Sequence, residues 1–285
     1  GRILKKPSRN GYTYYGCDKF PTCDFMTWDV PTDQDCPVCG QTMFKRSGKG
    51  AMKPFCANPE CSNFLPEDKR GYRRNAMEAP IRETLAATIA DLGRVRRDSL
   101  VEDPFCGSGT LLIEAAQKAM NIAPGLKRRF AAERYSFVPA SLWAEQRQKA
   151  LAESKLDVGF EAFGYDIDPA AVALANANAK LAGVGDRCRF EVADVREFRA
   201  LDNATVLTNP PYGERLGDAS EAASLARTLG QVWQAHPAQG LYAITADAEF
   251  EQHFGKKAAR RRKIYNGMIP CQLYMYFEQP KRERK

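Results

Sequence analysis

One short stretch of the sequence carries residue types suited to chemistry on a base amine, Asn209-Pro210-Pro211-Tyr212. The exocyclic amine of a nucleobase is a poor nucleophile because its lone pair is delocalised into the ring. The Asn209 side-chain oxygen and the Pro210 carbonyl can accept its two N–H bonds while the nitrogen pyramidalises. Two prolines fix the loop, and Tyr212 can stack on the base. The stretch therefore predicts a loop that presents a base amine to an electrophilic methyl group.

A second stretch, Asp103-Pro104-Phe105-Cys106-Gly107-Ser108-Gly109-Thr110, has the pattern of a glycine turn between a strand and a helix. Residues 99–105 suit a buried strand, and residues 111–120 have helical periodicity. Glycines at such a turn let the backbone approach a ligand at a helix N-terminus. A phosphate loop would need Lys-Ser/Thr after the glycines, and a dinucleotide fingerprint would need a third glycine. The turn therefore predicts a site for another kind of nucleoside cofactor.

Acidic residues follow the next two predicted strands. Asp166 lies at the end of a strand predicted over residues 161–167, and Asp194 follows one predicted over residues 189–192. A carboxylate at the first place can accept both ribose hydroxyls of a nucleoside, and one at the second can accept from an adenine amine. We expect the adjacent Ile167 and Val195 in the same site.

The elements that position these residues alternate between strand-like and helix-like from residue 75 onward, which predicts a doubly wound α/β sheet. Residues 206–208 form the predicted fourth strand, and it leads directly into Asn209. Carboxyl ends of parallel strands meet at one edge of a sheet. We therefore expect the glycine turn, the acids and the Asn209 loop to converge there.

Together these stretches resemble the bacterial 23S ribosomal RNA guanine-N2 methyltransferases of the RlmL/YpsC-like group, which normally carry a THUMP domain. The resemblance covers about residues 69–280 and includes Asn209 to Leu216. It implies a class I Rossmann-like methyltransferase with a mostly parallel sheet, S-adenosylmethionine as cofactor and RNA, in particular ribosomal RNA, as partner. The implied cofactor residues are Asp103, Pro104, Phe105, Gly107, Ser108, Gly109, Thr110, Asp166, Ile167, Asp194 and Val195. The implied catalytic residues are Asn209, Pro210, Pro211 and Tyr212.

Two other functions stay open on the sequence. A DNA adenine-N6 methyltransferase uses the same kind of loop, because the loop binds the amine and not the ring. A THUMP domain has no counterpart in this sequence, so a nucleic-acid-binding fusion with an inactive methyltransferase part is the alternative from a different class.

The cysteines near the N-terminus have the spacing of metal ligands. Cys36 and Cys39 form one tight pair, and Cys56 and Cys61 form a second across a predicted hairpin. Such a hairpin brings both pairs to one end, where four thiolates can bind a structural zinc ion. With no export signal in the sequence, metal is favoured over disulfides.

An internal repeat extends this pattern, because the interval from Gly1 to Cys17 equals that from Gly40 to Cys56. Cys17 and Cys23 then belong to a truncated first repeat whose initial Cys-x-x-Cys pair would precede Gly1. Alternatively, these two recruit Cys36 and Cys39 to a shared site. The first arrangement is favoured, because the order of pair and hairpin is complete only for Cys36 to Cys61.

Residues 1–70 resemble the tetracysteine zinc ribbons at the C-terminus of bacterial type I DNA topoisomerases, which predicts domains over residues 1–70 and 71–285. The resemblance implies binding of single-stranded nucleic acid, including single-stranded DNA, with aromatic side chains as stacking platforms. Residues 1–74 hold 13 Lys and Arg against 8 Asp and Glu, so most of the net charge of +7 lies there. A basic run, residues 256–263, suits either RNA phosphates or a solvated loop. No long uncharged apolar stretch is present, so we expect no membrane span and a cytoplasmic protein.

Overall fold

A computed structural model describes most of the chain. The described residues are 2–7, 13–23, 25–45, 54–58, 61, 72, 81–126, 128, 130–134, 137–212 and 219–277. Two compact units are present, one comprising Gly1–Asp68 with Arg129–Arg134 and the other Lys69–Arg128 with Tyr135–Lys285. The domain boundary at residues 70 and 71 stays a prediction.

The smaller unit contains two three-stranded antiparallel sheets. Their strands in chain order are β1 (Ile3–Pro7), β2 (Thr13–Cys17), β3 (Met26–Thr27), β4 (Val30–Asp35), β5 (Thr42–Lys45) and β6 (Phe55–Cys56). Strand β5 pairs with β6 in the register Met43 to Cys56 and Phe44 to Phe55. This is the predicted pairing of the hairpin strands, although residues 46–53 between them lie outside the described part.

The larger unit is built on a seven-stranded sheet of order β12-β13-β11-β10-β7-β8-β9. Its strands are β7 (Leu100–Asp103), β8 (Glu161–Asp166), β9 (Cys188–Val192), β10 (Thr205–Thr208), β11 (Gly240–Thr245), β12 (Arg260–Asn266) and β13 (Ile269–Phe277). Strands β7 to β11 pair in parallel, whereas β13 is antiparallel to both β11 and β12. The prediction of a mostly parallel, Rossmann-like sheet is confirmed.

Helices cover this sheet. They are α1 (Glu83–Leu92), α2 (Thr110–Ala119), α3 (Ala140–Ala152), α4 (Pro169–Ala182), α5 (Ala219–Ala235) and α6 (Phe250–Phe254), with a short 3-10 turn at Val195–Glu197. A second 3-10 turn, Ala131–Arg134, belongs to the smaller unit. Helix α4 begins at a capping residue, because the Asp168 side chain accepts from the Ala170 N–H and proline occupies the first turn. No helix of the described residues is long and apolar enough to cross a lipid bilayer.

The core lies on both faces of the sheet, and β13 shows how. Its buried Leu273 and Met275 belong to one apolar cluster, while Tyr274 and Tyr276 belong to the other. Because successive side chains of a strand point to opposite faces, this alternation shows that neither face of β13 is left to solvent.

The strand order reverses between β7 and β10. From β7 the chain proceeds outward to β8 and β9, and it then returns to the other side of β7 to form β10 and β11. Ligands of open α/β sheets bind outside the carboxyl ends of the strands at such a reversal. The glycine turn after β7 and Asn209 after β10 both lie at that point.

The basic run near the C-terminus differs from one interpretation of the sequence. Residues Arg260–Lys263 belong to β12, the edge strand of the sheet, so for them a loop assignment is wrong. All four are exposed, so the strand shows none of the apolar alternation on which a sequence-based prediction depends. Pairing with β13 over the whole strand decides the structure instead.

Gly230 supports a test of the packing between α5 and α6. A Cβ at this position would lie 2.0 Å from the Phe254 carbonyl oxygen, so the backbone would have to move. We expect Gly230→Ala to lower the free energy of unfolding by about 1 to 3 kcal/mol, despite the better helix propensity of alanine. Thermal denaturation measures this, and Gly159→Ala is the control because its Cβ would meet nothing closer than 3.8 Å. Equal stability of the two variants would contradict the close helix contact.

Candidate functional site

A cleft of about 720 Å³ opens at the carboxyl edge of the seven-stranded sheet. It is lined by Ile81, Asp103, Pro104, Phe105, Cys106, Gly107, Ser108, Thr110, Leu111, Asp166, Ile167, Asp168, Ala193, Asp194, Val195, Arg196, Asn209, Pro211, Glu221, Ser224, Leu225 and Thr228. Every predicted cofactor residue except Gly109 is in this lining. Of the four predicted catalytic residues, Asn209 and Pro211 line the cleft, whereas Pro210 and Tyr212 do not.

The glycine turn owes its shape to both of its glycines. Gly107 and Gly109 have φ angles of 51° and 78°, in the left-handed region that disfavours other residues. A Cβ on Gly109 would also lie 2.9 Å from the Phe190 ring, whereas one on Gly107 would meet nothing within 4 Å. Gly109 therefore packs the turn against β9, and Gly107 leaves backbone open on the cleft side.

Asp166 ties this turn to the neighbouring strand. Its Oδ2 accepts from the Gly107 N–H at 2.9 Å, and its Oδ1 accepts from the Asp168 N–H at 3.0 Å. Each carboxylate oxygen has a second lone pair, so both can accept another donor from the cleft. The side chain therefore suits the two hydroxyls of a ribose.

Asp103 links the glycine turn to the strand that carries Asn209. The side chain is buried, and its Oδ1 accepts from the Phe105 N–H at 3.0 Å and from the Thr208 hydroxyl at 2.8 Å. Burial raises the pKa of the Asp103 carboxyl to about 7, because the ionised form loses its hydration. Asp103 therefore connects the glycine turn to the end of β10, the strand that leads into Asn209.

Asp194 has a different environment. It accepts from the backbone N–H of Arg196 at 2.8 Å and forms an ion pair with the guanidinium of the same residue. The side-chain hydrogen bond from Arg196, followed by the backbone bond, lowers the pKa of Asp194 to about 2. Asp194 is therefore a carboxylate at neutral pH, as an acceptor for an amine requires.

Asn209 holds an unused acceptor at the cleft. Its Oδ1 is buried, and it has no hydrogen-bond partner among the residues that the structure describes. An unsatisfied buried acceptor costs about 1 to 3 kcal/mol, so native proteins rarely contain one without a reason. An N–H donor supplied by a ligand, with a small shift of the loop to uncover the oxygen, would satisfy it.

The Tyr212 ring does not lie where stacking on a target base would require it. Its ring is 5% exposed and lies in the core, where its hydroxyl accepts from Asn266 Nδ2 at 3.3 Å and contacts Cys271 Sγ at 3.6 Å. The sequence shows an aromatic residue after two prolines, but not the side of the loop to which the ring points. A stacking role would need the ring to leave this position, so it stays a prediction.

The smaller unit brings four cysteines together, as the sequence predicts. The sulfurs of Cys36, Cys39, Cys56 and Cys61 lie within 4.8 Å of one another, with 3.8 Å between Cys36 and Cys61 and 3.7 Å between Cys39 and Cys56. Four sulfurs at about 2.3 Å from a tetrahedral zinc ion would be about 3.8 Å apart. The group therefore fits zinc. Cys17 is not part of this group, and neither is Cys23.

Comparison with known families covers most of the larger unit. Residues 70–275 match the family model described as RMKL-like, methyltransferase domain. The chain belongs to this family. Residues 1–32 and 33–70 each match the model described as topoisomerase DNA binding C4 zinc finger, so the smaller unit is a zinc-ribbon region of two repeats.

Relatives of this methyltransferase family agree in sequence over about three quarters of the chain. The putative RNA methyltransferase YpsC of Bacillus subtilis is 38% identical over 76% of this chain and 57% of its own length. The ribosomal RNA large subunit methyltransferase K/L of Shewanella amazonensis is 40% identical over 73% of this chain and 30% of its own length. The matched part of the chain thus spans 57% of the length of the first relative and 30% of the length of the second.

A solved structure agrees with the fold. A putative methyltransferase, SMU.472, crystallised with SAH, is 38% identical and superposes with a TM-score of 0.69 over 74% of this chain and 56% of that chain. The crystallised protein therefore shares the fold of the larger unit.

Sequence reasoning missed one wall of the cleft in this methyltransferase domain. Helix α5 contributes Glu221, Ser224, Leu225 and Thr228 to the lining. Their spacing of three and four residues places them on one helix face. That periodicity was the available signal, but nothing in the sequence indicates that this face turns towards a ligand and not towards water.

Proposed function

We propose that the chain transfers a methyl group from S-adenosylmethionine to an exocyclic amino group of a nucleobase in RNA. The observation that carries this proposal is the buried, unpartnered Oδ1 of Asn209 at the cleft. Membership in a methyltransferase family and relatives named as RNA methyltransferases support the same conclusion.

S-adenosylmethionine fits the described residues. Asp166 accepts from the ribose hydroxyls and Asp194 from the adenine amine, since both are acceptors at the edge of the cleft. Ile167 is 68% exposed, which gives the adenine ring an apolar surface. The bound cofactor supplies an electrophilic methyl group on a sulfonium sulfur. The open backbone at Gly107 suits the close approach of such a ligand.

Asn209 performs the part of the chemistry that belongs to the protein. Its Oδ1 accepts an N–H bond of the target amine, and this interaction strengthens as the nitrogen becomes pyramidal and its lone pair becomes available. The amine forms a bond to the methyl carbon as the carbon–sulfur bond breaks, and the nitrogen then releases its extra proton to water. No strong base is required, because the methylated nitrogen is acidic before that proton leaves.

Guanine N2 of 23S ribosomal RNA is the proposed target. The support is the resemblance of Asn209 to Leu216 to the guanine-N2 enzymes and the name of the ribosomal RNA relative. Incubation with isotopically labelled cofactor and 23S RNA lacking its modifications, followed by mass spectrometry of nucleosides, tests this directly. Labelled N2-methylguanosine is the expected product. Labelled N6-methyladenine from duplex DNA would favour the DNA enzyme, and cofactor binding without transfer to either would favour an inactive methyltransferase part.

The proposed role of Asp166 gives a quantitative test. We expect Asp166→Ala to weaken S-adenosylmethionine binding by about 1.5 to 3 kcal/mol, the scale of lost charge-assisted hydrogen bonds. Calorimetry measures this affinity, and Asp202→Ala is the control because Asp202 is exposed and outside the cleft lining. Asp166 also holds Gly107, so a melting curve without cofactor separates loop damage from lost binding. Unchanged affinity would remove Asp166 from the site.

The zinc-ribbon region is proposed to bind single-stranded nucleic acid. Phe20, Phe25 and Trp28 are exposed, and residues 1–74 as a whole are basic, with 13 Lys and Arg against 8 Asp and Glu, although residues 18–35 hold five Asp and one Lys. Exposed aromatic rings among positive charges are typical of proteins that bind single strands by stacking. Loss of RNA affinity in a Trp28→Ala variant with unchanged zinc content is the expected result in a filter-binding assay.

A further inference from the structure

A hairpin at the edge of the sheet carries charged and aromatic side chains that the catalytic cleft does not use. The hairpin consists of β12 and β13, with the turn at Gly267 and Met268 between them. Met268 is 94% exposed, Tyr265 is 57% exposed and Ile269 is 45% exposed. An exposed group of large side chains on a hairpin tip marks an interaction surface.

This tip lies beside the Asn209 loop. Strand β12 is antiparallel to β13, which is antiparallel to β11, so β12 runs in the same direction as β11 and β10. Its carboxyl end is therefore at the same edge as Asn209. Direct contacts agree, since Asn266 Nδ2 donates to the Tyr212 hydroxyl at 3.3 Å.

Positive charge extends from the tip along β12. Arg260, Arg262 and Lys263 are exposed, and none forms an ion pair with a carboxylate within the described ranges. Arg261 differs, because its Nε lies 3.7 Å from Glu251 Oε1. The six steps of the strand span about 20 Å at about 3.3 Å each. Because successive side chains of a strand alternate between its faces, Arg260 and Arg262 lie on one face and Lys263 with Tyr265 on the other, so the three cations flank both sides of the exposed edge over about 10 Å.

A cation and an aromatic ring are also combined near the tip. Lys263 Nζ lies 5.7 Å from the centroid of the Tyr265 ring. At the turn, the Arg82 guanidinium lies next to Gly267. One of its nitrogens is 3.7 Å from where a Cβ of residue 267 would be. Arg82 adjoins Ile81 of the cleft lining, so positive charge continues from the hairpin to the rim of the site.

We propose that this hairpin binds the single-stranded RNA segment next to the target base. Tyr265 stacks on a base of this segment. Arg260, Arg262 and Lys263 contact the phosphates of the same segment. Such an RNA segment is a polyanion with exposed base rings. It is complementary to a protein surface that combines cations with an aromatic side chain. The proposal rests on methyl transfer to RNA, and it adds how the strand reaches the cleft.

A simpler explanation of these charges exists, and the test must distinguish it from RNA binding. Edge strands often carry Lys and Arg to prevent pairing with another sheet. On that explanation, neutral replacements would promote self-association and leave RNA binding unchanged. The exposed Tyr265 and Met268 argue against it, because large apolar side chains at an edge favour association instead of preventing it.

The test compares two triple variants of the full chain with zinc bound. The hairpin variant carries Arg260→Gln, Arg262→Gln and Lys263→Gln. The control carries Arg96→Gln, Arg97→Gln and Lys180→Gln, which remove equal charge from exposed positions outside the hairpin, just before β7 and in α4. Fluorescence anisotropy with a labelled single-stranded RNA oligonucleotide measures affinity over a range of salt concentrations, and light scattering reports self-association.

We expect the hairpin variant to bind RNA at least about 10-fold more weakly and its plot of log affinity against log salt to be shallower by about 2, as three lost phosphate contacts imply. The control should match the wild type, and Tyr265→Ala should lose about 10-fold with an unchanged salt slope. Affinity for S-adenosylmethionine should be unchanged in every variant.

Several results would overturn the docking surface. They are equal RNA affinity of the two triple variants, self-association of the hairpin variant with normal RNA binding, a loss confined to single-stranded DNA, and a wild-type chain that does not bind RNA. Binding is measured without methyl transfer, so the two proposals fail separately. A hairpin-dependent loss of RNA binding in a chain that methylates no RNA would uphold the surface and refute the activity.

Discussion

Asn209→Ala is expected to lower the turnover of methyl transfer by about 100-fold or more. The buried Oδ1 of Asn209 has no partner among the described residues, so its acceptor is preorganised for the target amine. Because the interaction strengthens as the nitrogen pyramidalises, the loss belongs to the transition state and not to ground-state binding. The magnitude follows that of removing one preorganised polar group from an active site. Single-turnover kinetics on unmodified ribosomal RNA measures it.

The same variant carries its own control, because affinity for S-adenosylmethionine should stay within about twofold when measured by calorimetry. Ser224→Ala provides a second control, since Ser224 also lines the cleft but is not assigned to the amine. Tyr212→Ala separates the two interpretations of Tyr212. A stacking residue would weaken substrate binding by about 1 to 3 kcal/mol, whereas a core residue would lower the melting temperature as well. Near-normal turnover of Asn209→Ala would refute the role of Asn209.

One zinc ion per chain is expected in the smaller unit, and its removal should unfold that unit. Structural zinc contributes an apparent free energy of about 10 to 16 kcal/mol in small zinc domains, more than a segment of this size recovers from its apolar core. We expect Cys39→Ala to lose the metal, because it removes one of four sulfurs within 4.8 Å of one another. Metal analysis after dialysis and proteolysis of the residues before 70 measure both effects.

Cys17→Ala is the matched control for zinc. Cys17 is a cysteine of the same unit but is not in the four-sulfur group, so the variant should keep one zinc ion and resist proteolysis. Two tightly bound ions per chain would show that Cys17 and Cys23 also bind metal. Retention of zinc by Cys39→Ala would contradict the assignment of the four ligands.

Much of the fold follows from local features of the chain. The glycine turn and the strand that ends at Asp166 each depend on neighbours within a few residues, and each is found close to its predicted position. The position of the site at the carboxyl edge of the sheet was also predictable, because parallel strands bring their carboxyl ends to the same edge. The cysteine pairs were predictable for a similar reason, since a single hairpin joins them.

Long-range packing decided the remainder. The sequence by itself determined the α/β class, the group of four cysteines and most of the loop residues that line the cleft. Only the tertiary structure decided that the Tyr212 ring lies against Cys271 and Asn266, that α5 forms a wall of the site, and that Arg260 begins an edge strand. A local pattern specifies which element a residue joins, but the side to which its side chain points depends on partners about 50 or more residues away. The lack of a hydrogen-bond partner at the Asn209 oxygen is also decided by the tertiary structure. Whether a buried polar atom finds a partner depends on all the residues packed around it.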